Sequence, residues 1–285
     1  AGERLQATYI TDSPNPIGSK DALVDPKDGT SYGRMHALHH EGFQSMQKGR
    51  GYYDLFLFDL EGNLIYSVFK ELDYATNFLE GPYADSGLGE AYRAALTLPE
   101  GGFHFTKFAP YAPSADAPAK FVASPVFDNA GNRIGVIALQ APLDQMTAIL
   151  SKSDLLGETG LVYAVGIDRR ALSASPFDGG HAVLDELPGL PHIVAAQERR
   201  DVVLQDVEGL SGNPVMARTI SFDREGSAWS LVLEQDMSEA FAVENRLLAT
   251  TLVQVLIVAF LVSMVAFAIA RLLTKRIVAL SDSVS

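Results

Sequence analysis

Hydrophobic and polar positions change period along this chain, and the changes mark its elements. Residues 1–50 are mostly polar. A short helix is expected first, then a break in TDSPNPIGSK, where Pro14, Pro16 and Gly18 oppose regular structure. Helical spacing resumes at Tyr32; Met35, Leu38, His39, Phe43 and Met46 are expected to share a buried face that ends near Gly49 and Gly51. The period then falls to two. YYDLFLFDLEGNLIYSVF, residues 52–69, reads as a hairpin turning at 59–63. Residues 88–98 read as a short helix, FHFTKFAPYA as a strand and FVASPVFDNAGNRIGVIALQ as a second hairpin. Residues 142–150 return to a helix, with Pro142 suited to its first turn. The plan then repeats: LVYAVGIDRRALSASPF predicts strand, turn and strand, residues 193–199 a helix, and residues 201–236 three strands.

The last pattern is apolar on every face. Residues 247–270 carry no charge, and as a helix they rise about 36 Å, enough to cross a hydrocarbon core of about 30 Å with some tilt. Arg271, Lys275 and Arg276 follow, opposed only by Asp282, which predicts a cytoplasmic C-terminal side. Met237 to Ala270 contains no Pro or Gly, so one continuous helix is expected to enter the membrane. Removing those three basic residues and Asp282 from the chain's 22 basic and 35 acidic residues leaves 19 and 34 before the span. A domain of net charge −15 is unsuited to nucleic acid and suits an extracytoplasmic location. No cysteine is present, which removes disulfides and thiolate chemistry. An exported domain needs a signal or an earlier span, and Ile277, Leu280 and Val284 keep helical spacing to the last residues. A preceding span and a cytoplasmic continuation are therefore expected.

An internal echo organises the part before the span. Phe58-Asp59-x-x-Gly62-Asn63 recurs as Phe127-Asp128-x-x-Gly131-Asn132; Phe222-Asp223-x-x-Gly226 and a glycine-free Ile167-Asp168 follow. Each is an apolar strand end, an Asp able to bond turn amides and, in three cases, a Gly free to take positive φ. Two antiparallel sheets, each opening and closing with a hairpin and carrying a helical segment between, form an α+β plan resembling tandem PAS modules. The expected division is an N-terminal helical region (1–50), a distal module (51–142), a connecting helix (143–157), a proximal module (158–236), a signalling helix with the span (237–270), and a further helix (271–285).

Catalytic motifs are missing: no Gly-rich phosphate loop, no G-x-S-x-G and no H-E-x-x-H. His36, His39, His40 and Glu41 form the densest set of metal-ligand types, but no further ligand has matching spacing, so neither metal nor cofactor is expected. Binding is the better reading. KELDYATN supplies Lys70, Asp73, Tyr74 and Asn77: both charge signs, an amide and an aromatic between hairpin and helix. In a PAS-like plan this segment walls a pocket with Tyr66, His104, Thr106, Phe108 and Ser124 from the strands and Tyr92 from the helix. The Ala-rich ALSASPF predicts a collapsed pocket in the second unit, which then acts as a transmitter.

The segments GYYDLFLFDLEGNLIYSVFKELDYATNFLEGPYADSGLGEAYRAAL, FVASPVFDNAGNRIGVIALQAPLDQM and LLGETGLVYAVGID with WSLVLEQDMSEAF resemble the double-Cache extracytoplasmic sensor of bacterial methyl-accepting chemotaxis proteins and related receptors, over residues 1–245. RLLTKRIVALS resembles the start of a HAMP domain, with Leu273, Ile277 and Leu280 at apolar positions and Arg276 where proline is usual. The resemblance implies a non-enzymatic, homodimeric receptor of the bacterial inner membrane. It would bind a small molecule outside the cytoplasm, contact lipid through 247–270 and signal inward. The same input region could also serve a histidine kinase, nucleotide cyclase or phosphodiesterase. The residues further admit an anchored extracytoplasmic enzyme using His36, His39 and His40, and a partner-binding module without a pocket.

Overall fold

The computed structural model describes residues 2–141, 143–150, 156–224 and 227–282. A short α1 (Gly2–Gln6) and a π turn (Ala7–Thr11) precede coil that contains one 3-10 turn (Lys20–Ala22), and then α2 (Ser31–Arg50) begins. The Thr30 hydroxyl accepts the Gly33 amide at 2.9 Å to start α2, and Gly51 at φ 72° closes it in the left-handed region. The first unit follows: β1 (Asp54–Phe58), β2 (Leu64–Ser67), α3 (Gly87–Ala95), β3 (His104–Phe105), β4 (Ala109–Tyr111), β5 (Ala117–Ala119), β6 (Phe121–Phe127) and β7 (Arg133–Gln140). Its main sheet has the order β2-β1-β7-β6-β3, antiparallel throughout, with β4 and β5 a separate ribbon. α4 (Leu143–Leu150) leads on to β8 (Leu161–Gly166), α5 (Pro191–Gln197), β9 (Val203–Glu208), β10 (Pro214–Arg224) and β11 (Ser227–Asp236), whose sheet order is β8-β11-β10-β9. α6 (Met237–Ala240) and α7 (Ala242–Asp282) complete the described chain.

The echoed turns are built alike. Asp59 accepts the amides of Glu61 (3.1 Å) and Asn63 (2.8 Å), and Asp128 those of Ala130 (2.9 Å) and Asn132 (2.8 Å). Each Asn returns a side-chain bond to its Asp, and Gly62 and Gly131 take φ 88° and 83°. β1 and β7 then pair, joining the two hairpins into one sheet. One face of this sheet packs Phe56, Phe58, Val136 and Ala138 against Leu88, Ala91 and Tyr92 of α3. The other packs Leu55, Tyr66 and Val68 with Phe43 of α2. The second sheet buries Tyr163, Val165 and Val232 under Ile193 and Ala196 of α5.

Four expectations are corrected. α2 buries His36, His40 and Gln47, while Met35, Leu38 and Met46 stay 55, 71 and 45% exposed. The polar side chains can go inside because Tyr66 and coil carbonyls receive them. FHFTKFAPYA is split, because its later part leaves the sheet to pair with β5. The strand expected after Ile167 is reduced to single bridges, Val165–Ala171 and Arg170–Glu186. The helix entering the apolar stretch is interrupted at Phe241, and the short turn before it carries Glu239, which accepts the Glu158 and Thr159 amides. The turn at Gly226 and residues 142, 151–155 and 283–285, on which parts of the second hairpin echo, the connecting helix and the HAMP resemblance fall, lie outside the described residues.

Arg246–Arg271 within α7 has a mean hydropathy of 2.8, is unburied by the rest of the chain, and is long and apolar enough to span a membrane. Phe58 is a sensitive test of the first core: it is 2% exposed and meets Phe78 edge-on at 5.1 Å and Tyr92 at 4.9 Å. Phe58→Ala is expected to cost about 3–5 kcal/mol of stability. Urea unfolding of the chain in detergent micelles measures it, and a loss below about 1 kcal/mol would contradict this packing.

Candidate ligand-binding sites

Beyond β2 the chain turns sharply, with Lys70 at φ 54° and Ala75 at φ 60°. The turn buries KELDY instead of exposing it. Lys70 is 1% exposed; its Nζ donates to the Val68 carbonyl at 3.1 Å and lies 5.3 Å from the Tyr66 ring and 5.7 Å from that of Tyr9. Burial lowers its pKa to about 7, against a partial restoring pull from Asp54. Asp54 is fully buried and accepts the amides of Leu55, Val68 and Phe69 at one oxygen. Its Oδ2 has no hydrogen-bond partner among the described residues, and burial raises its pKa well above the usual range. Asp73, also fully buried, accepts the Tyr111 hydroxyl at 2.5 Å; its Oδ1 has no partner among the described residues, and burial raises its pKa to about 7.

An aromatic cluster adjoins Lys70. The Tyr74 and Tyr32 hydroxyls lie 2.6 Å apart, and Tyr9 packs on both rings. His40 Nε2 faces the Asp21 carbonyl at 2.7 Å and must donate to it, so the neutral ring accepts the Tyr66 hydroxyl at Nδ1, also at 2.7 Å. His36 donates Nδ1–H to the Val24 carbonyl at 2.8 Å and stacks on His40 at 4.5 Å. Burial, then Lys70, depresses its pKa to about 3. These histidines therefore pack as neutral rings, while His39 turns outward. Among the described residues no group of three or more His, Cys, Asp or Glu converges to hold a metal ion.

The ten pocket candidates thus fall in several places. Tyr66, Lys70 and Tyr74 share the cluster, with Asp73 next to it through the turn. Asn77 staples the first hairpin, donating to the Glu61 carbonyl at 2.8 Å and accepting the Leu79 and Glu80 amides. Tyr92 sits in the core and donates to the Asp59 carbonyl at 3.0 Å. Thr106 accepts the Phe121 amide at 2.9 Å, and Ser124 donates to the Gly102 carbonyl at 2.8 Å. His104 lies 3.3 Å from Glu90. Phe108 lies between the two units, its ring 5.5 Å from Lys120 Nζ, which also bonds the Ser227 hydroxyl.

The second unit departs from its expectation. It is not collapsed: a cavity of about 550 Å³ opens between the sheet and the 175–188 loop. Its wall contains Glu234, 3% exposed, which accepts the Tyr163 hydroxyl at 2.5 Å, His192 Nε2 at 2.8 Å and the Leu210 amide at 2.8 Å. Sequence pattern singles out none of Asp54, Tyr111, His192 or Glu234 as site residues. Glu234 alone carries a signal, as a carboxylate at a position where the period of β11 turns inward.

No protein-family model matches the chain, and no curated protein matches it. Solved structures do. The extracellular domain of rpHK1S-Z16, described as a histidine kinase, superposes with a TM-score of 0.53 at 13% identity, over 84% of this chain and 90% of its own. The periplasmic sensory domain of the Campylobacter jejuni chemoreceptor Tlp1 gives 0.50 at 14% identity, over 84% and 90%. An extracellular ligand binding receptor from Desulfohalobium retbaense gives 0.50 at 11% identity, over 82% of this chain and 38% of its own. The chain therefore has the fold of extracytoplasmic sensory domains of receptors, followed by a helix able to span a membrane.

Between the buried Lys70 pKa near 7 and its ordinary 10.5, the folded chain holds fewer protons than the unfolded one, so this residue makes stability rise with pH across that window. Lys70→Met is expected to remove that rise and to raise the melting temperature most at and below neutral pH. Melting curves from about pH 7 to about pH 10 check both; an unaltered slope in the variant would rule out a titrating, buried Lys70.

Proposed function

We propose that this chain is the extracytoplasmic sensing region and membrane helix of a bacterial transmembrane receptor, of the chemoreceptor type, that binds a small polar molecule. The observation that carries the reading is the junction between β11 and α6. Glu239 accepts the amides of Glu158 (2.7 Å) and Thr159 (2.8 Å) and the Thr159 hydroxyl, and Gln235 bonds the Leu156 carbonyl at 3.0 Å. The second sheet is thereby tied to the first turn of the segment that continues into α7. A displacement of the sheet reaches the apolar helix without passing through a loose linker. A ligand shifts such an equilibrium only by its preference for one state.

The ligand site of this reading lies in the first unit around Lys70, Asp73 and Tyr74. Two buried carboxylate oxygens without partners among the described residues, and a buried ammonium that donates to the Val68 carbonyl, support it. We assign residues 51–142 to a distal module, 158–236 to a proximal one, and 271–285 to the start of a cytoplasmic HAMP-like helix. Residues 1–246 face outward from the inner membrane. The exposed Met35, Leu38 and Met46 of α2 support pairing with a second copy. The fold shared with the rpHK1S-Z16 domain supports a second reading, the same input on a histidine kinase. Neither reading needs catalysis in this chain.

Melting of the full chain in lipid nanodiscs against amino acids, carboxylates, amines and nucleobases tests the sensor. At least one compound is expected to raise the melting temperature by mass action, with the shift lost in Asp73→Asn. A panel without any hit would argue for a protein stimulus instead. Glu239→Gln tests the junction: amide exchange at Glu158 and Thr159 is expected to quicken while the shift on ligand addition persists. Unchanged exchange would break the proposed link.

A further inference from the structure

The cavity of the second unit is left unused by that reading. At about 550 Å³ it lies within the range of small-molecule sites. Leu161, Leu187, Leu210 and Val215 are among its apolar walls, and its charged groups have one sign. Five carboxylates line it, those of Asp178, Asp185, Glu186, Glu234 and Asp236, and no lysine or arginine does so among the described residues. Glu186 is spoken for by Arg169 at 2.5 Å, just outside the lining. Glu234 is not an ordinary surface acid. Burial pushes its pKa up, but the donors from His192, Tyr163 and Leu210 outweigh burial and hold it below the usual range, as a carboxylate in the wall.

A second observation is independent of these acids. His181 lines the cavity, with its ring edge-on to Tyr163 at 5.2 Å. Its Nε2 is buried and has no partner among the described residues. Burial lowers its pKa, against weaker opposing pulls from Asp185 and Glu234, so the ring is neutral at pH 7. The ring's other bond is to the Ser173 backbone, which leaves Nε2 as a bare acceptor. An acceptor and an ionised carboxylate in the wall of one cavity both call for a donor, and the carboxylate calls for positive charge.

We propose that this cavity is a second binding site of the chain, selective for a small organic cation of the ammonium or guanidinium class, with Glu234 and Asp236 facing the charge and His181 accepting a hydrogen bond. The site lies beside the membrane junction. Thr159 and Asp236 both line it, the Asp236 amide donates to the Thr159 hydroxyl at 3.2 Å, and that hydroxyl donates to Glu239. An occupant touching Thr159 therefore acts two bonds from the first turn of α6. The inference does not depend on a ligand in the first unit, so either site can fail while the other stands.

The test is calorimetric titration of the full chain in phosphatidylcholine nanodiscs, which carry no net charge to adsorb the probe. The probes are 1,4-diaminobutane, succinate as its anionic counterpart and 1,4-butanediol as its neutral one. Diaminobutane alone is expected to bind. Ser211→Trp, a change at an exposed rim residue, should abolish binding by filling the mouth, and Asp236→Asn should weaken it about tenfold. Both variants should melt within a few degrees of the parent. If Ser211→Trp does not fold, Asp236→Asn decides the question alone. Diaminobutane affinity undiminished in the folded variants would mean adsorption to the acidic surface and would overturn the site. So would equal binding of succinate, or no binding of diaminobutane up to about 10 mM.

Discussion

β1 has no solvent face, and the first unit is shaped by that constraint. Leu55 is pressed toward α2, Phe56 and Phe58 toward α3, and β2 and β7 take both edges. A strand enclosed this way must satisfy its polar groups inside the protein. Asp54, at its first residue, does so for one carboxylate oxygen by collecting three amides, from its own neighbour and from the end of β2 and just beyond it. Those bonds hold Val68 and Phe69 in place and direct Lys70 inward, over the rings of Tyr66 and Tyr9. The histidines of α2 are buried by the same logic: each is admitted because a carbonyl of the preceding coil or the Tyr66 hydroxyl receives it.

The second unit uses its polar groups differently. β11 is central in its sheet, flanked by β8 and β10, and it is also the strand that runs on through α6 into the apolar helix. Glu234 and Asp236 near its end, and Glu239 one turn later, gather donors from β8, α5 and the 156–159 turn. Charge-assisted bonds of this kind are stronger and more directional than neutral ones. They gather where the fold changes from sheet to helix. Beyond Phe241, residues 247–269 of α7 expose apolar side chains along their length, as a helix able to cross a bilayer must.

Much of this is legible along the sequence. The α+β class, both strand hairpins of the first unit, α3, the three-strand run of the second unit and the apolar helix all follow from period and turn chemistry. The Asp-x-x-Gly-Asn echoes name their own hydrogen bonds, because an Asp side chain reaches amides two and four residues on without help from elsewhere. The face of α2 is misread by spacing for the opposite reason. Met35, Leu38 and Met46 have the right spacing for burial, but spacing cannot report what lies opposite, and the sheet opposite offers a tyrosine hydroxyl. Asn77 has the character of a pocket residue and is a turn staple, since its partners Glu61 and Asn63 are brought to it by the hairpin. The interruption at Phe241 has no signal in composition; it falls two residues after Glu239, which is bonded to a residue 80 positions back.

The sequence by itself determined the elements whose forces act within a few residues: turns, caps, strand alternation and a run of apolar side chains long enough for a bilayer. Tertiary structure alone decided which polar groups meet. Asp73 with Tyr111, and Glu234 with Tyr163 and His192, are pairs separated by 38 to 71 residues, and Lys70 meets Tyr9 across a similar stretch of chain. The ionisation states of Asp73, Glu234 and Lys70 are set by burial and by neighbours that only the packed chain supplies. The cavity beside Glu234 has the same origin: it is the space left when the 175–188 loop arches over the sheet, and no periodicity within ALSASPF records it.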